Sequence, residues 1–194
     1  MVGPNKQFDQ DAVLDKALQV FWNKGYEATS MQDLVSSMGI NRASLYQTYG
    51  NKHSLFMTCI DRYIENTLTS MRQMLELSGP ALNNLKQMFT GFVEQSLIEQ
   101  KHGCFINNSA VELGPHDADI AEKLRNSWNQ FEKIFETIIE RAIKNNEIDK
   151  NTNVEQLALL LNINLQGLMV KTKVNTPKEK LIICIDALFD LIRS

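Results

Sequence analysis

The chain has 194 residues, 43% of them hydrophobic and 22% charged, and a formal net charge of −3. That length holds one sizeable core, or a small domain fused to a larger one, and the composition is that of a folded globular protein rather than a disordered or fibrous one. The acidic balance excludes a protein that binds nucleic acid over its whole surface. With no signal peptide and no apolar run long enough to span a bilayer, the expected location is cytoplasmic, with no membrane partner.

In chain order the pattern predicts helices alone, because no period-two alternation is sustained long enough for a sheet. The first helix is expected over about residues 9–24, with Val13, Leu14, Ala17, Leu18 and Phe21 inward and Gly25 as its stop. Thr29 and Gln32 have the spacing of a capping box, which starts a second helix near Ser30. Met31, Leu34, Val35 and Met38 then recur at one-turn intervals as a single apolar stripe. Gly39 can take the left-handed conformation that ends a helix, and Ile40 plugs the corner. Asn41 can cap a third helix in which Leu45 and Tyr49 point inward, leaving Arg42, Ala43, Ser44, Tyr46, Gln47 and Thr48 to face outward.

This is the form of a helix-turn-helix, too small to bury its own apolar face without neighbours. From Leu34 to Ile60 there is no Asp or Glu, while Arg42, Lys52 and His53 are present, so one acid-free surface sits in an acidic protein. Arg42 and Gln47 carry the donors for bidentate pairing with guanine and adenine edges, each worth about 1–3 kcal/mol of discrimination. Lys52, near the start of the next helix, adds charge beside a helix dipole that already favours phosphate.

After Gly50 and Asn51 a long helix is expected to carry Leu55, Phe56, Cys59, Ile60, Tyr63, Ile64 and Leu68 toward Met74. A break at residues 78–80 leads to another helix ending near Lys101, then to a shorter apolar segment over 104–113 that stops at Gly114 and Pro115. Asp117 can cap a helix with Ile120, Leu124, Trp128, Phe131, Ile134, Phe135, Ile138 and Ala142 in one stripe. Two C-terminal helices follow, over about residues 154–173 and 176–192. Both are apolar nearly all round, with Leu159, Leu160 and Ile163 off the main stripe of the first and Ile182, Ile183 and Cys184 beside that of the second. A second copy of the chain is the natural cover, giving a homodimer through these two helices; the alternative is that they pack into the chain's own core. The fold class is therefore all-α, with a three-helix head over residues 1–53 and a larger helical body over 54–194.

The segments FWNKGYEATSMQDL and MGINRASLYQTYGNKHSLF resemble the TetR/AcrR family of bacterial transcriptional repressors, densely over about residues 8–56. Further on, GCFINNSAVELGPHDADIA is similar to the AcrR-type branches. The resemblance implies a homodimer whose heads bind a palindromic double-stranded operator and whose bodies bind a small-molecule effector. It implies that Thr29 and Lys52 touch phosphates, that the helix from Asn41 to Thr48 lies in the major groove, and that Tyr46 contacts backbone or a thymine methyl. Tyr49 stands where the family usually has Phe and reads as packing. The segment VGPNKQ lacks the Arg-rich arm many members carry, so no minor-groove contact is implied there.

Such a regulator needs an input, and Phe89, Phe92, Cys104, Phe105, Asn108, Trp128 and Phe131 are candidate lining for an effector pocket; ordinary core is the alternative for each. Cys104 follows His102 and Gly103 at a helix junction, where a thiolate could be stabilised; a small apolar residue in a tight corner is the other reading. The three cysteines, Cys59, Cys104 and Cys184, are odd in number and far apart, so reduced thiols are expected. His102, Cys104 and His116 match no ligand spacing, and neither metal nor cofactor is expected. No nucleophile elbow, phosphate-cradling loop or dinucleotide fingerprint occurs, so the protein is not expected to be an enzyme. The expected function is sequence-specific transcriptional regulation, as a repressor released by a small molecule. The competing reading is a helical ligand-binding or scaffold protein whose helix-turn-helix no longer reads DNA.

Overall fold

Helices make up all the regular structure of residues 9–98, 103–174 and 176–193, the part of the chain described by a computed structural model. In order they are α1 (Gln10–Lys24), α2 (Met31–Met38), α3 (Arg42–Tyr49), α4 (Lys52–Leu75), α5 (Ala81–Ile98), α6 (Phe105–Glu112), α7 (Ala118–Lys144), α8 (Val154–Lys173) and α9 (Lys178–Arg193). The VGPNKQ segment, His102 and the expected end of a helix at Lys101 lie outside the described residues. The chain forms two compact units, one up to Ile64 and one from Glu65 onward, with the boundary inside α4. No described helix is long and apolar enough to cross a membrane.

In the N-terminal unit, Asp9 caps α1 by accepting from the amides of Asp11 and Ala12. Val13, Leu14, Ala17, Leu18 and Phe21 are buried as the periodicity requires, and Gly25 ends the helix. Phe56 meets Phe21 edge-on at 5.0 Å and Tyr26 at 4.9 Å, so the core of this unit reaches past residue 53 into α4. Arg62 of α4 pairs with Asp15 of α1 at 3.0 Å, and the Tyr49 hydroxyl donates to the Gln10 carbonyl at 3.1 Å, tying α3 to α1.

The capping of α2 differs from expectation. Ser30, not Thr29, is the cap, and its partner is Asp33 rather than Gln32. The Ser30 hydroxyl accepts from the Asp33 amide, and Asp33 accepts from the Ser30 amide. The reason lies in the preceding turn: the Thr29 hydroxyl donates inward to the Gly25 carbonyl at 2.6 Å, leaving Ser30 at the helix start. Lys24 reaches Asp33 at 2.6 Å, and this bond, with those from Ser30, holds the Asp33 carboxyl well below the usual carboxylate range.

Gly39 makes the turn between α2 and α3 at φ 71°, ψ 23°, and a Cβ there would meet no atom within 4 Å. The cost of a side chain is therefore conformational alone, about 1–2 kcal/mol for a left-handed non-glycine residue. Gly39→Ala is expected to lose that much stability in urea unfolding, and Gly39→Asn less, because Asn tolerates this region. Equal losses would mean that the left-handed turn is not what Gly39 supplies.

In the C-terminal unit a short connection over residues 145–153 returns the chain so that α8 packs along α7. Helix α5 lies against α7, α8 and α9, and α6 lies on α7. The core includes an aromatic cluster in which Phe89 sits edge-on to Phe189 at 5.5 Å and tilted against Phe135 at 6.0 Å. The turn between α4 and α5 would leave carbonyls and amides orphaned. Arg141 donates to the carbonyls of Leu75, Leu77 and Gly79, and Glu147 accepts from the amides of Ala81 and Leu82, both at 2.8 Å. Burial pushes the Glu147 carboxyl up, but the Leu82, Ala81 and Asn145 hydrogen bonds and the Arg141 charge outweigh it and hold it below its ordinary value. On α8, Leu159, Leu160, Ile163 and Val170 are exposed, as are Ile183 and Leu191 on α9.

Candidate nucleic-acid interface

Asn41 starts α3 by accepting from the Ser44 amide at 2.8 Å, and the buried Leu45 fixes the helix on the core below. With Tyr49 half-buried beside it, the opposite face is left open: Arg42, Ala43, Tyr46, Gln47 and Thr48 are exposed and Ser44 is half-buried. None of these is a carboxylate. Arg42 and Tyr46 lie one turn apart and are already paired. The guanidinium carbon stands 5.8 Å from the ring centroid and Nη2 is 3.5 Å from the hydroxyl. The pairing holds the arginine fork over a 44% exposed tyrosine rather than loose in water.

Gly50, at φ 75°, and Asn51 separate α3 from α4. Asn51 caps α4 by accepting from the Ser54 amide at 2.8 Å. Lys52 follows with its ammonium 4.4 Å from the Tyr26 ring centroid and 3.5 Å from the Glu27 carbonyl, so its charge is held at a helix N-terminus. Thr29 is placed otherwise than expected: it is 1% exposed and its hydroxyl is engaged in the Gly25 turn. Its side chain locks the turn between α1 and α2, with the hydroxyl directed into the head. The neighbouring Ser30 is exposed at the start of α2, and only the turn distinguishes the two adjacent hydroxyl residues.

The candidate effector residues fall on three helices of the C-terminal unit. Phe89 and Phe92 are on α5, Cys104 caps the start of α6, Phe105 and Asn108 are on α6, and Trp128 and Phe131 are on α7. Phe89, Phe105 and Phe131 are buried in the core, Phe92 and Trp128 are half-buried, and Asn108 accepts from Lys173 at 2.8 Å. Cys104 is buried at the N-cap without a side-chain capping bond. None of Cys59, Cys104 and Cys184 is in a disulfide, and burial pushes the Cys59 thiol up, out of thiolate range at neutral pH. Gln166, which no sequence motif marks, is joined through Asn162 to Glu132 by hydrogen bonds of 3.0 and 2.8 Å. The signal available in the sequence is the polar pair Asn162 and Gln166 at one-turn spacing on an otherwise apolar helix.

Comparison with known proteins bears on both units. Residues 13–58 match the family model described as bacterial regulatory proteins, tetR family, and residues 80–187 match a tetracyclin repressor-like C-terminal domain. The chain is 35% identical over 182 residues to an uncharacterized HTH-type transcriptional regulator, YezE, of Bacillus subtilis (strain 168), covering 93% of this chain and 94% of that one. It is 31% identical over 181 residues to the HTH-type transcriptional repressor ComR of Escherichia coli (strain K12), covering 92% and 86%. Among solved structures, a cysteine-substituted CifR in complex with 26-base-pair double-strand operator DNA aligns with TM-score 0.87 at 25% identity, over 97% of this chain and 98% of that one.

Proposed function

This chain belongs to the TetR family of bacterial regulatory proteins and is a DNA-binding transcriptional regulator, and from that premise we propose that it is a cytoplasmic repressor without enzymatic activity, acting as a homodimer. It sits on a palindromic operator and is released by a small-molecule effector held in the body. The observation that carries the reading is the open face of α3, free of carboxylates, with Arg42 steadied over Tyr46. In this reading Arg42 and Gln47 take base edges, Ala43 and Tyr46 lie against thymine methyls or backbone, and Ser44, Thr48 and Lys52 hold phosphates. Thr29 is left out of the DNA-facing set, because its hydroxyl is turned inward.

The exposed apolar side chains of α8 and α9 support pairing of two chains, and a two-fold dimer matches a palindrome whose half-sites lie one turn of DNA, about 34 Å, or a compatible distance apart. An effector that prefers the DNA-free form weakens operator binding, and by linkage the operator weakens the effector.

Fluorescence anisotropy on a duplex carrying the palindromes of the promoter tests the reading. Arg42→Ala is expected to weaken the cognate duplex by about 5–150-fold per half-site, the range of one missing bidentate pair, and to relax preference at a single base position. Lys52→Gln is expected to weaken all duplexes alike and to flatten the log–log salt slope by about 0.9 for each phosphate that is no longer neutralised. A salt slope near zero for the unaltered protein would sink the proposal.

A further inference from the structure

Helices α7 and α8 are joined by a relay of side chains whose polarity is dictated from one end. Glu132 accepts only, so Asn162 must turn its nitrogen to it, and Nδ2 donates to Oε1 at 2.8 Å. Asn162 is left facing Gln166 with its oxygen, and Gln166 donates to it through Nε2 at 3.0 Å. Oε1 of Gln166 is therefore the free end, and that atom is buried with no hydrogen-bond partner among the described residues. Flipping the amide would set oxygen against oxygen. Trp128 stands one turn before Glu132 on α7 and Gln166 one turn after Asn162 on α8, so the register of the Glu132–Asn162 bond sets the two opposite each other. Its indole Nε1–H is buried and unpartnered as well. A native fold keeps few such atoms, because each forfeits its bond to water without replacement. Here one lone donor and one lone acceptor occur at the same level of facing helices.

The geometry points to a subsite between α7 and α8 for a neutral group that both donates and accepts, a hydroxyl or carboxamide on an otherwise apolar small molecule. The group accepts from Trp128 and donates to Gln166. A carboxylate offers no proton to Gln166 and meets the charge of Glu132; an ammonium offers no lone pair to Trp128. Asn107 of α6 donates to the backbone carbonyl of Gln166 at 3.2 Å, which holds α8 in place at this point. Buried Phe105, Leu124, Phe131 and Met169 on the same three helices suit an apolar remainder. Trp128 and Gln166 are each only half-buried as residues, so part of each side chain lies open to an incoming group. The inference rests on the reading that the body holds an effector, and names that effector's class.

The test is a titration of the full-length protein with hexan-1-ol, hexanamide, hexanoate and hexylamine, followed by the indole N–H resonances in nitrogen-15 correlation spectra. Trp22 serves as the internal control, and Trp128→Phe assigns the signals. Hexanol and hexanamide are expected to move the Trp128 resonance saturably, while hexanoate and hexylamine leave it in place. Gln166→Leu, which keeps the bulk and removes the acceptor, is expected to weaken hexanol about tenfold. Should that variant misfold, the four-probe comparison on the unaltered protein still decides. No shift with any probe, or hexanoate acting as well as hexanol, overturns the subsite. So does a Gln166→Leu variant that changes dimer dissociation and leaves hexanol binding intact, because the partner subunit would then be what satisfies the pair. Operator release by another compound with the Trp128 signal unmoved removes the subsite and leaves the effector reading standing. Hexanol binding at Trp128 without any change in operator affinity does the reverse.

Discussion

Replacing Ile163 with glutamate is expected to leave folded monomers that hold operator DNA about 10²–10⁴-fold more weakly than the parent, the factor gained by linking two binding modules. Ile163 is 60% exposed on α8 and shares an outward stripe with Leu159, Leu160 and Val170. On the surface of a monomer the substitution costs little, because the glutamate stays in water. In an interface made of these side chains it places two like charges, one per subunit, where no counter-ion is provided, and a buried unpaired carboxylate is far more costly than a missing methyl group. The loss should therefore appear in association and not in fold. Sedimentation equilibrium would show the monomer, circular dichroism would show unchanged helix content, and anisotropy would give the DNA affinity. A dimer with unaltered dissociation constant would place the interface on another face.

Phe89→Ala is expected to cost about 3–5 kcal/mol of stability, the range for truncating a packed aromatic residue. Phe89 is 0% exposed and touches rings from α7 and α9, so the hole left behind is bounded by three helices that cannot all close on it. Against a typical stability of about 5–15 kcal/mol the loss is large enough to lower the denaturation midpoint sharply. The same variant separates two roles for this residue. A side chain lining a cavity with spare room costs much less to truncate and changes ligand affinity instead. A cost below about 1.5 kcal/mol with altered effector response would return Phe89 to the pocket.

The head is more legible in the sequence than the body. Each of its signals is local: Gly39 needs only its own backbone, Asn41 and Asn51 reach amides three residues on, and the stripe of α1 repeats within one helix. The misplaced cap of α2 shows where local reasoning stops. Thr29–Gln32 and Ser30–Asp33 both have capping-box spacing, and the choice is made by a turn that draws Thr29 inward and by Lys24 reaching Asp33. The extent of α8, about residues 154–173, is readable from the leucines that recur along it. The significance of Gln166 is not readable, because it depends on which residue of α7 lies opposite, and no spacing within one helix carries that information.

The turn between α4 and α5 has a consequence in time. Its orphaned ends are closed by Arg141 and Glu147, and Glu147 lies 66 positions after Ala81, whose amide it accepts. At about 5–20 residues per second the ribosome needs roughly 3–13 s to deliver that carboxylate after Ala81. The longest ties described in the head span 47 positions, Arg62 to Asp15, and 39, Tyr49 to Gln10, and all of these residues precede Ala81, so the head can close first. Newly made chains thus pass through an interval in which the DNA-reading unit is complete and the body's corner is still held by water alone.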